Sequence, residues 1–259
     1  MQNASAAVAA AILADLPLAQ LALIAGAALI ASVIGGVSGY GTGALMPLVL
    51  VPILGPAPVV PIIALSSLFS NAGRAAAFRA LIDTRRVLIV LTGAIPTCML
   101  GAWGYTLLSG RGAALVIGGM LAASVPLRRL LRRRGLALSD RALAAASVGY
   151  GVVVGGTTGS GIILLSLLMA AGLQGANVIA TDALISIIVS CAKLLVFGFA
   201  GVMNARAVAV ALLIGLIALP GSFLAKLMVE RMPVHVHSAI LDAVVIAGGA
   251  TMALAGFAR

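Results

Sequence analysis

Two kinds of residue in this 259-residue chain have the chemistry to hold a small anion. The first kind is backbone. Gly35-Gly36-Val37-Ser38-Gly39-Tyr40-Gly41-Thr42-Gly43 and Gly155-Gly156-Thr157-Thr158-Gly159-Ser160-Gly161 share the pattern G-G-x-x-G-x-G. A helix starting after such a stretch exposes N–H groups and the positive end of its dipole, and both favour negative charge. The second kind is side chain. Ser66, Ser70 and Arg74 fall at i, i+4 and i+8, with Ser67 and Asn71 beside them. Asp182, Ser186, Ser190 and Lys193 fall at i, i+4, i+8 and i+11. At about 100° per residue each set makes one polar stripe on an otherwise apolar helix. Hydroxyls, a cation and helix N-termini together form a coordination set for an anion.

Each of these residues has a plainer reading to weigh. A serine in an apolar helix often folds its hydroxyl onto its own carbonyls, so single serines carry little. A stripe ending in a cation, present twice, carries more. Lys193 is one of two lysines and lies inside an apolar run, where an ammonium needs a partner or water. An anionic substrate would supply one; snorkelling to a membrane face is the competing reading, stronger for Arg74 near its helix end. Asp182 is the acidic residue best placed to face a cavity, because Asp15, Asp83, Asp140, Glu230 and Asp242 fall at or near segment ends. It reads equally as a proton-coupling carboxylate and as a helix N-cap.

No catalytic or metal-binding constellation accompanies them. Cys98 and Cys191 sit in apolar runs, and His235 and His237 have no acid and nucleophile set nearby. Neither glycine stretch is followed by Lys-Ser/Thr, which excludes a phosphate-binding loop. The expectation is therefore a non-enzyme without cofactor or metal.

Composition dictates where these residues sit. The chain is 63% hydrophobic and 8% charged, with a mean hydropathy of +1.24. Soluble domains run near 45–50% apolar and about 25% charged, so this surplus must face lipid. The net charge of +10 is mostly arginine in short loops, as the positive-inside rule requires, and nucleic-acid binding is not expected. Met1–Ala14 lacks a basic n-region, so no cleavable signal peptide is expected.

Cutting at Gly, Pro and charge gives ten apolar segments: 16–34, 44–54, 59–80, 87–108, 113–127, 142–154, 162–173, 178–200, 205–229 and 238–257. A crossing helix takes roughly 20 residues, so 44–54 and 162–173 are too short to span. The expected fold is an all-α polytopic membrane protein with about eight transmembrane helices, plus these two Gly-flanked broken or re-entrant helices. Arg128, Arg129, Arg132, Arg133, Arg134 and Arg141 mark a basic cytoplasmic loop, joined on that side by Arg79, Arg85, Arg86 and Arg206, with Arg111 and Arg231 outside.

The halves repeat. The two glycine stretches lie about 120 residues apart, Ser66 and Ser70 match Ser186 and Ser190, and Pro96 and Pro220 interrupt corresponding helices. Residues 1–127 form a first transmembrane repeat, 128–141 the basic loop and 142–259 a second repeat. One glycine cluster alone would read as close helix packing. Two matching clusters laced with Ser, Thr or Tyr point to a secondary carrier with its site between the repeats. Four crossings per half would make the repeats parallel, with one half rocking against the other.

With these residues in view, the chain resembles the sulfite exporter TauE/SafE family, also called the toluene sulfonate uptake permeases. The likeness spans about Ala25 to Leu254. It rests on the duplicated glycine-rich openings, the basic loop between them, and Ala180-Thr181-Asp182-Ala183-Leu184 followed by Lys193-Leu194-Leu195-Val196-Phe197. Pro47 departs from it, having no counterpart near Leu167. The resemblance implies an ion-coupled, multi-pass carrier of sulfite or an organosulfonate in the bacterial inner membrane, working without ATP hydrolysis. Its partners would be the anion, a coupling ion (a proton in the first instance) and membrane lipid; a homodimer is compatible with it. Substrate contacts are expected from Gly39, Gly41, Thr42, Gly43, Ser66, Ser70, Asn71, Arg74, Thr158, Gly159, Ser160, Gly161, Ser186, Ser190 and Lys193, with Asp182 as the proton-coupling group. A membrane-embedded accessory or assembly subunit, or a passive anion channel, are the alternatives.

Overall fold

In hydrocarbon an unpaired backbone N–H or C=O is costly, so apolar runs fold as helices that satisfy themselves. The structure, a computed structural model, describes residues 16–38, 41–133 and 137–229. These form nine α-helices and, among the described residues, no strand. They are α1 (Leu18–Ser38), α2 (Gly41–Leu54), α3 (Val59–Ala77), α4 (Thr84–Thr106), α5 (Gly110–Arg133), α6 (Asp140–Gly156), α7 (Gly161–Ala170), α8 (Ala176–Phe199) and α9 (Ala205–Val229). The expected crossing at 238–257, together with Gly39, Arg134, Arg231, His235 and His237, lies outside the described residues.

Local chemistry sets the boundaries. The Asp83 carboxylate accepts the Arg86 N–H at 3.0 Å and caps α4; Ser139 Oγ accepts the Ala142 N–H at 3.3 Å and caps α6. Helix α5 passes through Pro126 to Arg133, so the expected basic loop begins inside a helix. The two short helices appear where the glycine stretches end. With 14 and 10 residues, they reach about 21 and 15 Å at 1.5 Å per residue. Neither spans a core of about 30 Å. By length and apolarity α3, α4 and α8 qualify as membrane spans.

The helix directions overturn the expectation of parallel repeats. Arg74, near the end of α3, meets Asp182, near the start of α8, while Ser67 meets Ser190 further along. These counterpart helices are antiparallel, so the repeats are inverted. The reason lies in α6 and α7. Helix α6 starts beside α4, where Arg85 and Arg86 pair with Asp140. Helix α7 returns to that same end, where the Leu138 N–H donates to Ala170 O at 2.7 Å. Together they form a re-entrant hairpin and contribute no net crossing. Helix α8 therefore starts at the Arg85–Arg86 end and finishes at the opposite one, where Phe197 packs edge-on against Tyr105. Arg206, which follows α8, lies at that opposite end and not with the arginine loop as expected.

The halves also interlock. One apolar cluster joins α1–α3 to Ala207, Val210, Ala211 and Ile214 of α9. The other joins α6–α8 to Val87, Val90, Leu91, Ala94 and Cys98 of α4. Glycines fix the second seam: a Cβ on Gly151 would lie 2.9 Å from Ala94 Cα, and one on Gly155 would lie 2.8 Å from Ala102 N. Backbones approach this closely only where small residues permit it.

Candidate functional site

The glycine stretches meet. A Cβ on Gly43 would lie 3.0 Å from Gly159 N, and Thr158 Oγ1 donates to Gly43 O. Gly159 has φ +78°, a left-handed conformation that glycine adopts without penalty. This turn lets the chain reverse between α6 and α7. Helix α2 runs from Gly43 toward the Tyr105 end, where Tyr105 donates its hydroxyl to Pro56 O at 2.8 Å. Helix α7 runs from Gly161 toward the Arg85–Arg86 end. The N-termini of both short helices thus face one point from opposite sides, which concentrates positive dipole there.

A cavity of about 100 Å³ opens at that point. The short helices and the α6–α7 connection line it through Thr42, Gly43, Thr157, Thr158, Gly159, Ser160 and Gly161. Helix α3 contributes Ser67, Ser70, Asn71 and Arg74, and α8 contributes Ser186, Ser190 and Lys193. Ser32, Ile63, Ala64, Tyr150, Val154 and Val189 complete the wall. Ser67 Oγ and Ser190 Oγ lie 3.2 Å apart, joining the two stripes.

The charges are held differently. Lys193 is 6% exposed, and its ammonium donates to Thr157 O at 3.1 Å. It does not snorkel, and among the described residues it meets no carboxylate. Arg74 is 8% exposed; Nη1 donates to Asp182 Oδ2 at 3.3 Å, and Nη2 donates to Asn71 Oδ1. Asp182 is fully buried, and among the described residues its Oδ1 has no hydrogen-bond partner. Because α8 starts at Ala176, Asp182 is a helix-interior residue and not an N-cap.

Most residues expected at the site line this cavity, with instructive exceptions. Ser66 is buried and folds its hydroxyl onto Ile63 O at 3.3 Å; its neighbour Ser67 faces the cavity instead. Gly41 begins α2, Gly39 lies outside the described residues, and Asp182 stands behind Arg74. Sequence reasoning missed Ser32, Tyr150 and Thr157. Thr157 lay within the second glycine stretch and was the legible one; Ser32 and Tyr150 are lone polar residues with no pattern to mark them.

Apolar helices, with two short ones meeting at a charged, hydroxyl-lined cavity, make this an all-α polytopic membrane protein. The sequence model described as Sulfite exporter TauE/SafE matches residues 24–252, and the chain belongs to that family. Members are membrane transporters of the sulfite-exporter type and not enzymes. No curated protein and no solved structure matches the chain.

Proposed function

We propose that this protein is an ion-coupled secondary carrier of sulfite or a short organosulfonate across the bacterial inner membrane. One observation carries the reading: two helix N-termini, two serine stripes and two buried cations converge on a single cavity. A compact polar site with fixed donors suits a small oxyanion, whose oxygens accept several hydrogen bonds at once. A cavity of about 100 Å³ suits sulfite or a one- or two-carbon sulfonate. Lys193 supplies the standing charge, while serine hydroxyls and the N–H groups around Gly43 and Gly159 complete the shell. Opening the cavity alternately to either side would move the anion without ATP, with a proton as the coupling ion for sulfite.

The test is flux of sulfite and a panel of small sulfonates into proteoliposomes, with and without a pH gradient. Saturable flux is expected. It should fall at least tenfold in Lys193→Ala, while the variant still inserts and runs as folded protein in detergent. Equal flux in the variant, or no anion flux from folded wild-type protein, would overturn the reading.

A further inference from the structure

We propose that Arg74 is shared between Asp182 and the transported anion, so that an anion taking Arg74 obliges Asp182 to bind a proton. This rests on the reading of the cavity as an anion site. It adds how the coupling ion is recruited and which charge form of the substrate recruits it.

The geometry divides the two cations by role. Lys193 is anchored on a neutral carbonyl, so an arriving anion takes nothing from it. Arg74 faces the cavity with its guanidinium already engaged by Asp182 and Asn71. An anion that uses Arg74 must draw it from Asp182. That carboxylate has little else to hold its charge. Among the described residues, Oδ2 has the one Arg74 contact at 3.3 Å, and Oδ1 has no partner although the residue is fully buried. A buried carboxylate left unpaired is strongly disfavoured, and protonation removes the cost.

Among the described residues, the surroundings offer no substitute cation. Helix α3 presents Arg74 and Asn71. From α6 comes Tyr150, which lines the same cavity. Helix α4 presents the Cys98 thiol, with Asp83, Arg85 and Arg86 at its start. The turn before α4 carries Arg79, which is exposed. Helix α7 has no titratable side chain, and Lys193 lies eleven residues away along α8 itself.

Charge counting then links the proton to the substrate. Lys193, Arg74 and Asp182 sum to one positive charge, which a monoanion balances through Lys193 alone. A dianion needs both cations and leaves Asp182 unbalanced. The proton, taken from whichever side the cavity faces, lands on the unpartnered Oδ1. When the anion departs, Arg74 returns to Asp182 and the proton is released on that side. Dianion and proton travel together, whereas a monoanionic sulfonate travels without one.

The experiment uses the full chain, with sulfite at an alkaline pH where it carries two charges and methanesulfonate as the monoanion. In proteoliposomes, a gradient acidic on the side of uptake should raise sulfite flux several-fold and leave methanesulfonate flux unaffected. In Asp182→Asn the gradient stimulation of sulfite flux should fall to none. A variant still driven by the gradient would overturn the coupling role while leaving the anion site intact. Should the variant not fold, proton uptake by wild-type protein in weakly buffered detergent decides. About one proton taken up per sulfite bound supports the proposal, after correction for sulfite's own titration, and none overturns it. Wild-type protein that neither binds nor carries either anion would overturn the underlying anion-site reading itself.

Discussion

Asp182 and Arg74 form a pair whose members depend on each other unequally. Arg74 also has Asn71 and the cavity; Asp182 has Arg74 and a bare oxygen. Truncating one partner of a buried pair strands the other, at a typical cost of about 3–5 kcal/mol. Asp182→Ala should therefore lower the melting temperature in detergent, and sulfite should restore more stability to it than to wild type, because an anion can take the vacated place beside Arg74. Equal shifts in both proteins would argue that the anion does not reach Arg74. The stripes themselves were legible, since a period of 3.6 places Ser70, Asn71 and Arg74 together on any helix. The pair was not, because its members lie 108 residues apart and periodicity says nothing about which helix a face meets. Ser66 and Ser67 show the finer limit. About 100° separates neighbours on a helix, and only the packing of α3 decides that Ser67 faces the cavity.

At the scale of elements, the glycines divide into two uses that sequence pattern merges. Gly43 and Gly159 let the tips of two short helices meet, whereas Gly151 and Gly155 let α6 lie backbone to backbone on α4. One G-G-x-x-G-x-G stretch thus supplies close packing at Gly155 and cavity lining at Gly159. Gly151→Leu should force the seam apart, because even a Cβ there meets Thr97 Oγ1 and the Ala94 backbone. Overpacking of this kind typically costs about 1–3 kcal/mol, and backbone atoms yield less than side chains. The expected result is a large loss of folded yield, with little loss for Gly149→Leu, whose Cβ direction is open. Equal yields for the two variants would contradict the seam. Helix existence was readable from apolar runs cut at glycine and charge. The starts came out two or three residues late at α4 and α6, because Asp83 and Ser139 act as caps outside the apolar runs.

For the whole molecule, chain order and packing disagree. The repeat is legible as two consecutive halves, yet the halves are not the packing units. Valines and leucines at the start of α4 are buried among α6, α7 and α8 residues, and the inward face of α9 is buried among α1, α2 and α3 residues. Neither half can cover its own apolar surface without the other. Inversion explains why the pattern misled. A re-entrant hairpin has the same composition as a crossing followed by a short segment, so hydropathy counts α6 as a span, whereas the return of α7 cancels it. The proposed alternating access would accordingly separate α3 from α8, whose stripes meet across the cavity, while each swapped helix stays with its host. The interlock has a direct consequence for a divided chain. Residues 1–135 and 136–259 expressed separately should each be degraded or aggregate, because each exposes the surface that the other half's fourth helix covers. Expressed together, they should co-purify and recover saturable anion flux, since the break falls in the basic connection outside both seams. A half that is stable and monomeric alone would show that the swapped helices are not required to close the cores, and the two-body reading of the movement would fall with it.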